Sequence, residues 1–286
     1  MSEKRWKKAQ IAEKQFWNNP KEDISVHKNP NYPSYLKILE NHKIETKGKT
    51  NLDIGCGAFG IVDMINGKNY AIDPLMNHFV SKFKLKSKVK RIQSKGENLP
   101  FLDNYFDIIF CINALDHTDK PHDVLDESRR CLKTGGTYFL VLNCYSFPVV
   151  FIKKLSEKIG AGDIYHPYSY NIEDVGKLLN KHGFKIIEIK KGILKKTENK
   201  HSKVKIRVSL IQKLSSVRKL RGTGYIFKRA LVLPFHVLFE FLFKQYPDSI
   251  FLCKKIDSKH KKITVTLGDK NSNKSKLEFS YQNEMD

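Results

Sequence analysis

The chain has 286 residues and a formal net charge of +22, from 52 basic against 30 acidic side chains. That length supports one large α/β core plus an appendage. No run reaches the ~18 apolar residues of a bilayer span, and the basic start Met1 to Trp6 has no apolar run behind it, which speaks against a secretory signal.

In chain order, residues 1–46 are polar, with Trp6, Phe16 and Trp17 at helical spacing, an Asn/Pro-rich passage from Asn29 to Pro33, and helix signals again from Tyr35 to Leu39. By spacing alone these helices read as docked on the core. A short apolar strand then runs into Asp53 and the glycines Gly55, Gly57 and Gly60. Their G-x-G-x-x-G spacing lets backbone approach a nucleotide-like ligand, because a Cβ would block the tight turn. The apolar residues that follow (Ile61, Val62, Met64, Ile65) predict a short helix whose N-terminus faces the same pocket. A second strand, Tyr70 to Ile72, ends in Asp73, and a further apolar strand runs from Ile108 to Ile112. Together they describe an open sheet with its ligand at the carboxyl ends of the strands, where Asp73 accepts from ribose hydroxyls. A dinucleotide and S-adenosylmethionine both want an acid there, so this stretch leaves the two open.

Further along, a helix from Ile172 to Leu179, a Gly183 cap and a strand from Phe184 to Ile189 close the core. Between Lys181 and Arg229 only Glu188 and Glu198 interrupt the basic residues. Such a field attracts RNA, phosphate-bearing substrates or an acidic membrane surface, or else is a solvated face. The excess is lysine, with 8 arginines among the 52 basic residues, and lysine is the weaker signal for base readout. Val204, Ile206, Val208 and Leu210 alternate with polar residues as in a strand, although a helix is also compatible. Residues 230–243 are strongly apolar but broken by Pro234, His236 and Glu240. They read either as a helix buried against the core or as a greasy surface that meets lipid. Ser249 to Lys254 reads as the closing strand, and the tail from Asp269 as polar and disordered. The five cysteines (56, 111, 131, 144, 253) show no C-x-x-C spacing, which argues against zinc and disulfides and for reduced thiols in the cytoplasm.

Residues 96–142, taken with Asp53 to Gly60 and Asp73, closely resemble the class I S-adenosylmethionine-dependent methyltransferases, in particular the type 11 small-molecule group. The shared pieces are Glu97 to Phe101, Phe106-Asp107 opening the fourth strand, Leu115-Asp116-His117 after it, and Leu132 to Gly136 before the fifth. The resemblance covers residues 48–192. It implies an α/β, Rossmann-like seven-stranded mostly parallel sheet with helices on both faces. The implied divisions are an N-terminal helical lid (1–46), the cofactor core (47–192), a cap insertion (193–245), the closing strand (246–268) and a polar tail (269–286). By the same resemblance, Asp53, Gly55 and Gly57 line the methionine half of S-adenosylmethionine, Asp73 holds the ribose, Glu97 and Asn98 lie near the adenine, and Asn113 and Ala114 flank the sulfonium. Two positions depart from the pattern: Lys95 stands where an acid is common, and Thr134 where a proline is usual.

Structural alternatives remain for each residue: a turn cap for Asp53, a turn acid before Pro74 for Asp73, a solvated loop charge for Glu97. Asp107 reads as structural, satisfying loop amides, and Cys56 and Cys111 as core thiols. No metal-ligand set is present in the pattern. The implied chemistry is methyl transfer, in which the sulfonium is already electrophilic and the protein aligns the acceptor and takes its proton. His166 and His117 are the candidate bases, with Asp116, Tyr145, Tyr168 and Tyr170 as pocket lining and packing as the other reading. The fourth strand ends Ile112-Asn113-Ala114-Leu115, unlike the Asn-Pro-Pro-Tyr pattern of base-amine methylation. The expected function is O-methylation of a small molecule, such as a sugar or an anionic or lipid-linked metabolite, with peripheral membrane contact. The alternatives are an RNA methyltransferase that uses the basic segment, and an NAD-binding or non-catalytic relative.

Overall fold

In the computed structural model, residues 3–17, 29–83, 85, 88–158, 168–192, 245–256, 262–267 and 275–280 are described. All of them belong to one unit, Met1–Ile193 with Gln245–Asp286. The second unit, Leu194–Lys244, holds the expected cap insertion and lies outside the described residues, as does His166.

Seven strands carry the core: β1 (Thr50–Ile54), β2 (Lys68–Asp73), β3 (Val89–Gln93), β4 (Phe106–Ile112), β5 (Leu132–Tyr145), β6 (Phe184–Lys190) and β7 (Gln245–Lys255). Their spatial order is β3-β2-β1-β4-β5-β7-β6, with β7 antiparallel to both neighbours and the other pairings parallel. The order reverses between β1 and β4, which is where open α/β sheets bind ligands. Two strands not expected from sequence, β8 (Lys262–Leu267) and β9 (Ser275–Ser280), extend the sheet beyond β6 to nine. The expected disordered tail is therefore corrected at 275–280, where β9 pairs antiparallel with β8.

Helices cover both faces, and strand periodicity explains why. In β4, Ile109 and Cys111 join one apolar cluster while Ile108, Phe110 and Ile112 join the other, as a two-residue period dictates. The first cluster is closed by α4 (Pro121–Cys131) and α6 (Ile172–Lys181), through Val124, Leu125, Val175 and Leu179. The second is closed by α2 (Tyr32–Asn41), through Tyr35, Ile38 and Leu39. α2 is thus mainly a core helix that meets the ligand side at its first residue, Tyr32, whereas α1 (Glu3–Trp17) reaches that side through Trp6, Glu13 and Trp17. α3 (Met76–Lys82) and α5 (Phe147–Lys158) complete the elements. Among the described residues, no helix is long and apolar enough to cross a membrane. All five cysteines are buried and free.

Candidate cofactor site

The carboxyl ends of β1, β2 and β4 open on a cavity of about 280 Å³. Its floor is the turn after β1, whose glycines are required for different reasons. Gly55 and Gly57 take φ of +68° and +59°, a region costly to side chains. A Cβ on Gly55 would also meet the Ala114 Cβ at 2.5 Å, and one on Gly57 would approach the Trp17 ring at 3.2 Å. Gly60 has an ordinary φ, but a Cβ there would meet the Asp53 carboxylate at 2.1 Å. The helix expected after Gly60 is a single 3-10 turn, Ile61–Asp63, closed by the Asp63 carboxylate accepting from the Gly60 amide at 3.0 Å. It is too short to act as a dipolar anion site, and Asp63 itself pairs with Arg91.

Asp53 is 1% exposed. Burial pushes its carboxyl up to about 8, against the lowering pull of the Ile61 and Val62 amides. Its Oδ2 has no hydrogen-bond partner among the described residues. Asp73 ends β2 and accepts from the Gly57 amide (3.0 Å) and the Leu75 amide (2.8 Å). It is pushed up to about 6, first by burial, and Glu13 of α1 adds a repulsive charge. Asp73 thus ties the glycine turn to the β2–α3 connection while keeping its carboxylate at the cavity wall.

Glu97 also lines the cavity, and its Oε1 accepts from the amides of Asp119 and Lys120 at 2.7 and 3.2 Å, just before α4. Asn98 is exposed and lies off the cavity wall. Asn113 lies on that wall with φ +51°. Its backbone N–H donates to the Val141 carbonyl at 2.8 Å, and its Oδ1 is buried with no partner among the described residues. His117 is half-buried on the same wall, in the 3-10 turn Leu115–His117, with its Nε2 4.0 Å from Asp116 Oδ1. Tyr168 and Tyr170 instead stack on each other beside a separate cavity next to α4 and α6. Asp107 accepts from the Thr50 amide and from Lys133, both at 2.9 Å, at the opposite edge of the sheet. Burial pushes the thiols of Cys56 and Cys111 up, the latter to about 12, so neither is a nucleophile.

α1 covers the cavity with Trp6, Glu13 and Trp17. Trp17 packs edge-on against Phe79 at 5.0 Å, its ring N–H donates to Glu13, and its carbonyl accepts from Lys82. At the other end Lys95 sits 3.6 Å from the Trp6 ring centroid. The lysine that departs from the sequence pattern thus makes a cation–π contact with α1. This contact was not legible in sequence, because it depends on where the helix docks; the α1 lining accords with the lid reading of Trp6 and Trp17.

The charge of the cavity decides between ligands. Glu13, Asp73 and Glu97 line it, Asp53 stands behind it, and no Lys or Arg is among the described lining residues. An acid-lined pocket in a protein of net charge +22 suits a cationic ligand and disfavours the pyrophosphate of a dinucleotide. S-adenosylmethionine carries a sulfonium and an ammonium. The positive-φ glycine cradle and the two unpartnered buried oxygens, Asp53 Oδ2 and Asn113 Oδ1, fit such a group.

A Rossmann-like, cofactor-binding enzyme is what this fold and cavity define. Residues 52–140 match the family described as a methyltransferase domain. That match, together with the fold and the acid-lined cavity, supports a class I S-adenosylmethionine-dependent methyltransferase. Among sequence relatives, an uncharacterised protein of Methanocaldococcus jannaschii is 28% identical over 62% of this chain and 82% of its own. A sterol 24-C-methyltransferase of Kluyveromyces lactis is 26% identical over 60% of this chain, and a tRNA U34 carboxymethyltransferase of Campylobacter lari 31% over 38%. The matched region spans 48% and 41% of those two enzymes. A geranyl diphosphate C-methyltransferase of Streptomyces coelicolor, solved with S-adenosylhomocysteine, shares the fold at TM-score 0.52 and 15% identity, over 87% of this chain and 98% of its own.

Proposed function

We propose that this enzyme methylates a hydroxyl oxygen of a small molecule, with a sugar or an anionic, lipid-linked metabolite as the acceptor class. The observation that carries this reading is His117, an imidazole on the wall of a cavity of about 280 Å³ that α1 covers. An imidazole on that wall is a group able to take a proton from an acceptor hydroxyl. In this reading Asp53, Asp73, Glu97 and the glycine turn hold the cofactor, and Asn113 and Ala114 flank its sulfur. Asn98, off the cavity wall, is left out of the cofactor contacts. When bound, S-adenosylmethionine supplies an electrophilic methyl group. The chain's own task is alignment and water exclusion, and alignment of this kind contributes roughly 7–11 kcal/mol. His117 takes the acceptor's proton, with Asp116, 4.0 Å from its Nε2, stabilising the imidazolium that forms. His166, outside the described residues, is the second candidate for that task. The buried free cysteines support a cytoplasmic setting.

The test is labelling of a metabolite extract with the protein and methyl-labelled S-adenosylmethionine, followed by mass spectrometry. A small labelled ether is the expected product. His117→Ala should slow turnover at least a hundredfold and leave cofactor affinity within twofold; unchanged turnover removes it as the base. The tRNA relative, 31% identical over 119 residues, favours RNA as a second acceptor class. Label that enters RNA, with binding that falls steeply as salt rises, would replace the small-molecule reading.

A further inference from the structure

Behind Asn113 stands a carboxylate that the cofactor reading does not use. Asp248 lies in β7 and is 8% exposed. Its Oδ1 accepts from the Asn113 side-chain amide at 3.3 Å, and its Oδ2 accepts from the Asn31 side chain at 2.7 Å. Its own amide donates to Asn143 Oδ1 at 3.3 Å. These partners are all neutral, and among the described residues no cation pairs with Asp248. A buried carboxylate with amides and the Tyr35 phenol around it, and no cation, is costly to retain. Its charge also raises the Tyr35 phenol, second to burial.

The backbone is spent on the same arrangement. Asn113 and Asp248 both take positive φ, +51° and +47°, a region that Asn and Asp enter more readily than other residues with side chains. The consequence is directional. Because the Asn113 NH2 group is turned toward Asp248, its carbonyl oxygen is turned the other way. That oxygen is buried, has no donor among the described residues, and belongs to a side chain on the cavity wall. A carboxylate hydrogen-bonded to the NH2 end of an amide polarises its oxygen further.

We propose that Asp248 is a positioning residue that orients and polarises Asn113, making an uncharged but strongly negative oxygen for the sulfonium charge of the methyl donor. This rests on the S-adenosylmethionine reading of the cavity and adds a discriminating device to it. An ionised residue placed directly against the sulfur would invite methylation of the enzyme. An amide oxygen backed by a carboxylate presents the field through a poor nucleophile. The charge of the donor disappears with the methyl group, so the device favours donor over spent product and helps product leave.

The experiment is isothermal titration of the full chain with S-adenosylmethionine and, separately, S-adenosylhomocysteine, which lacks the methyl and the sulfur charge. Asp248→Asn should weaken the first about tenfold and leave the second within twofold. Asn113→Gly removes the amide yet accepts the positive φ, and it should show the same charge-selective loss. In the double variant the losses should not add. Equal weakening of both ligands, or of neither, overturns the proposal and makes Asp248 a structural residue. If Asp248→Asn fails to fold by thermal melting, the Asn113→Gly ratio decides alone. Wild-type protein that binds neither ligand would instead overturn the cofactor reading on which the proposal stands.

Discussion

At the carboxyl edge of the sheet, burial lifts Asp53 to about 8 and Asp73 to about 6, whereas at the amino edge Asp107 is held below the usual carboxylate range. Burial would raise Asp107 as well, but the Thr50 amide and the Lys133 ammonium outweigh it. Lysines also tie down the rest of that edge: Lys254 bonds Thr137 at 2.8 Å, and Lys255 bonds Asn104 and the Leu132 carbonyl, each at 2.7 Å. The same residue type is therefore satisfied at one end and left short of positive charge at the other. The amino edge contributes to folding. The carboxyl edge stores a deficit that a cationic ligand relieves.

The sharpest way to break this contrast uses two glycines with nearly equal φ, Gly55 at +68° and Gly135 at +74°. Alanine at Gly55 strains the backbone and also collides with Ala114, whereas alanine at Gly135 meets nothing within 4 Å. Gly55→Ala should cost at least a hundredfold in S-adenosylmethionine affinity, about 2.7 kcal/mol. Gly135→Ala should leave affinity unchanged and lower stability by about 1–2 kcal/mol. Calorimetry and melting of the two proteins check both. Equal affinities would mean that the turn after β1 does not cradle the ligand.

The protonation of the cavity gives the next largest effect. In the unliganded fold Asp53 and Asp73 keep their protons to about 8 and about 6, whereas unfolded they ionise near the ordinary 3.8. These two groups therefore destabilise the unliganded fold progressively as pH rises from about 4 to about 8. A cationic ligand prefers the ionised acids, so its binding releases protons. Affinity for S-adenosylmethionine should rise between pH 5.5 and pH 8, by up to about tenfold per pH unit for each proton released. Titrations in buffers of different ionisation enthalpy count those protons. Affinity flat or falling with pH would show that the acids do not face the ligand's charge.

Asp107→Ala should give the smallest effect. It removes the Thr50 and Lys133 contacts and should lower stability at pH 7 by about 1 kcal/mol, with cofactor affinity intact. Because the folded-state pKa is depressed, the difference from wild type should close as pH falls through that lowered value. A difference that persists in acid would locate the contribution of Asp107 in packing instead.

What could be read in sequence followed short-range physics. Asp53, the glycine turn, Asp73, the strand at Ile108 to Ile112 and the structural role of Asp107 all depend on neighbours within a few positions and on strand periodicity. β3 was missed because Val89 is its one fully buried residue, in a lysine-rich stretch, so it shows no apolar run. The helix after Gly60 was overestimated because its apolar residues pack around a 3-10 turn instead of along a helix face. β9 was missed because residues 275–280 carry too few apolar side chains to stand out from a polar tail.

Other features belong to the fold alone. Lys95 gains its meaning from Trp6, 89 positions earlier. Asn113 gains its orientation from Asp248, 135 positions later. The absence of lysine and arginine from the described cavity lining, in a chain that carries 52 of them, is a statement about three-dimensional sorting. The sequence by itself determined the central strands and the glycine turn, because hydrophobic period and backbone permissiveness are local properties, and it pointed to the cofactor only through its resemblance to a known family. Only the tertiary structure decided which acids are buried, which amide oxygen is left without a donor and which helix lines the cavity. Burial, field and orientation arise from residues that the chain brings together across long separations.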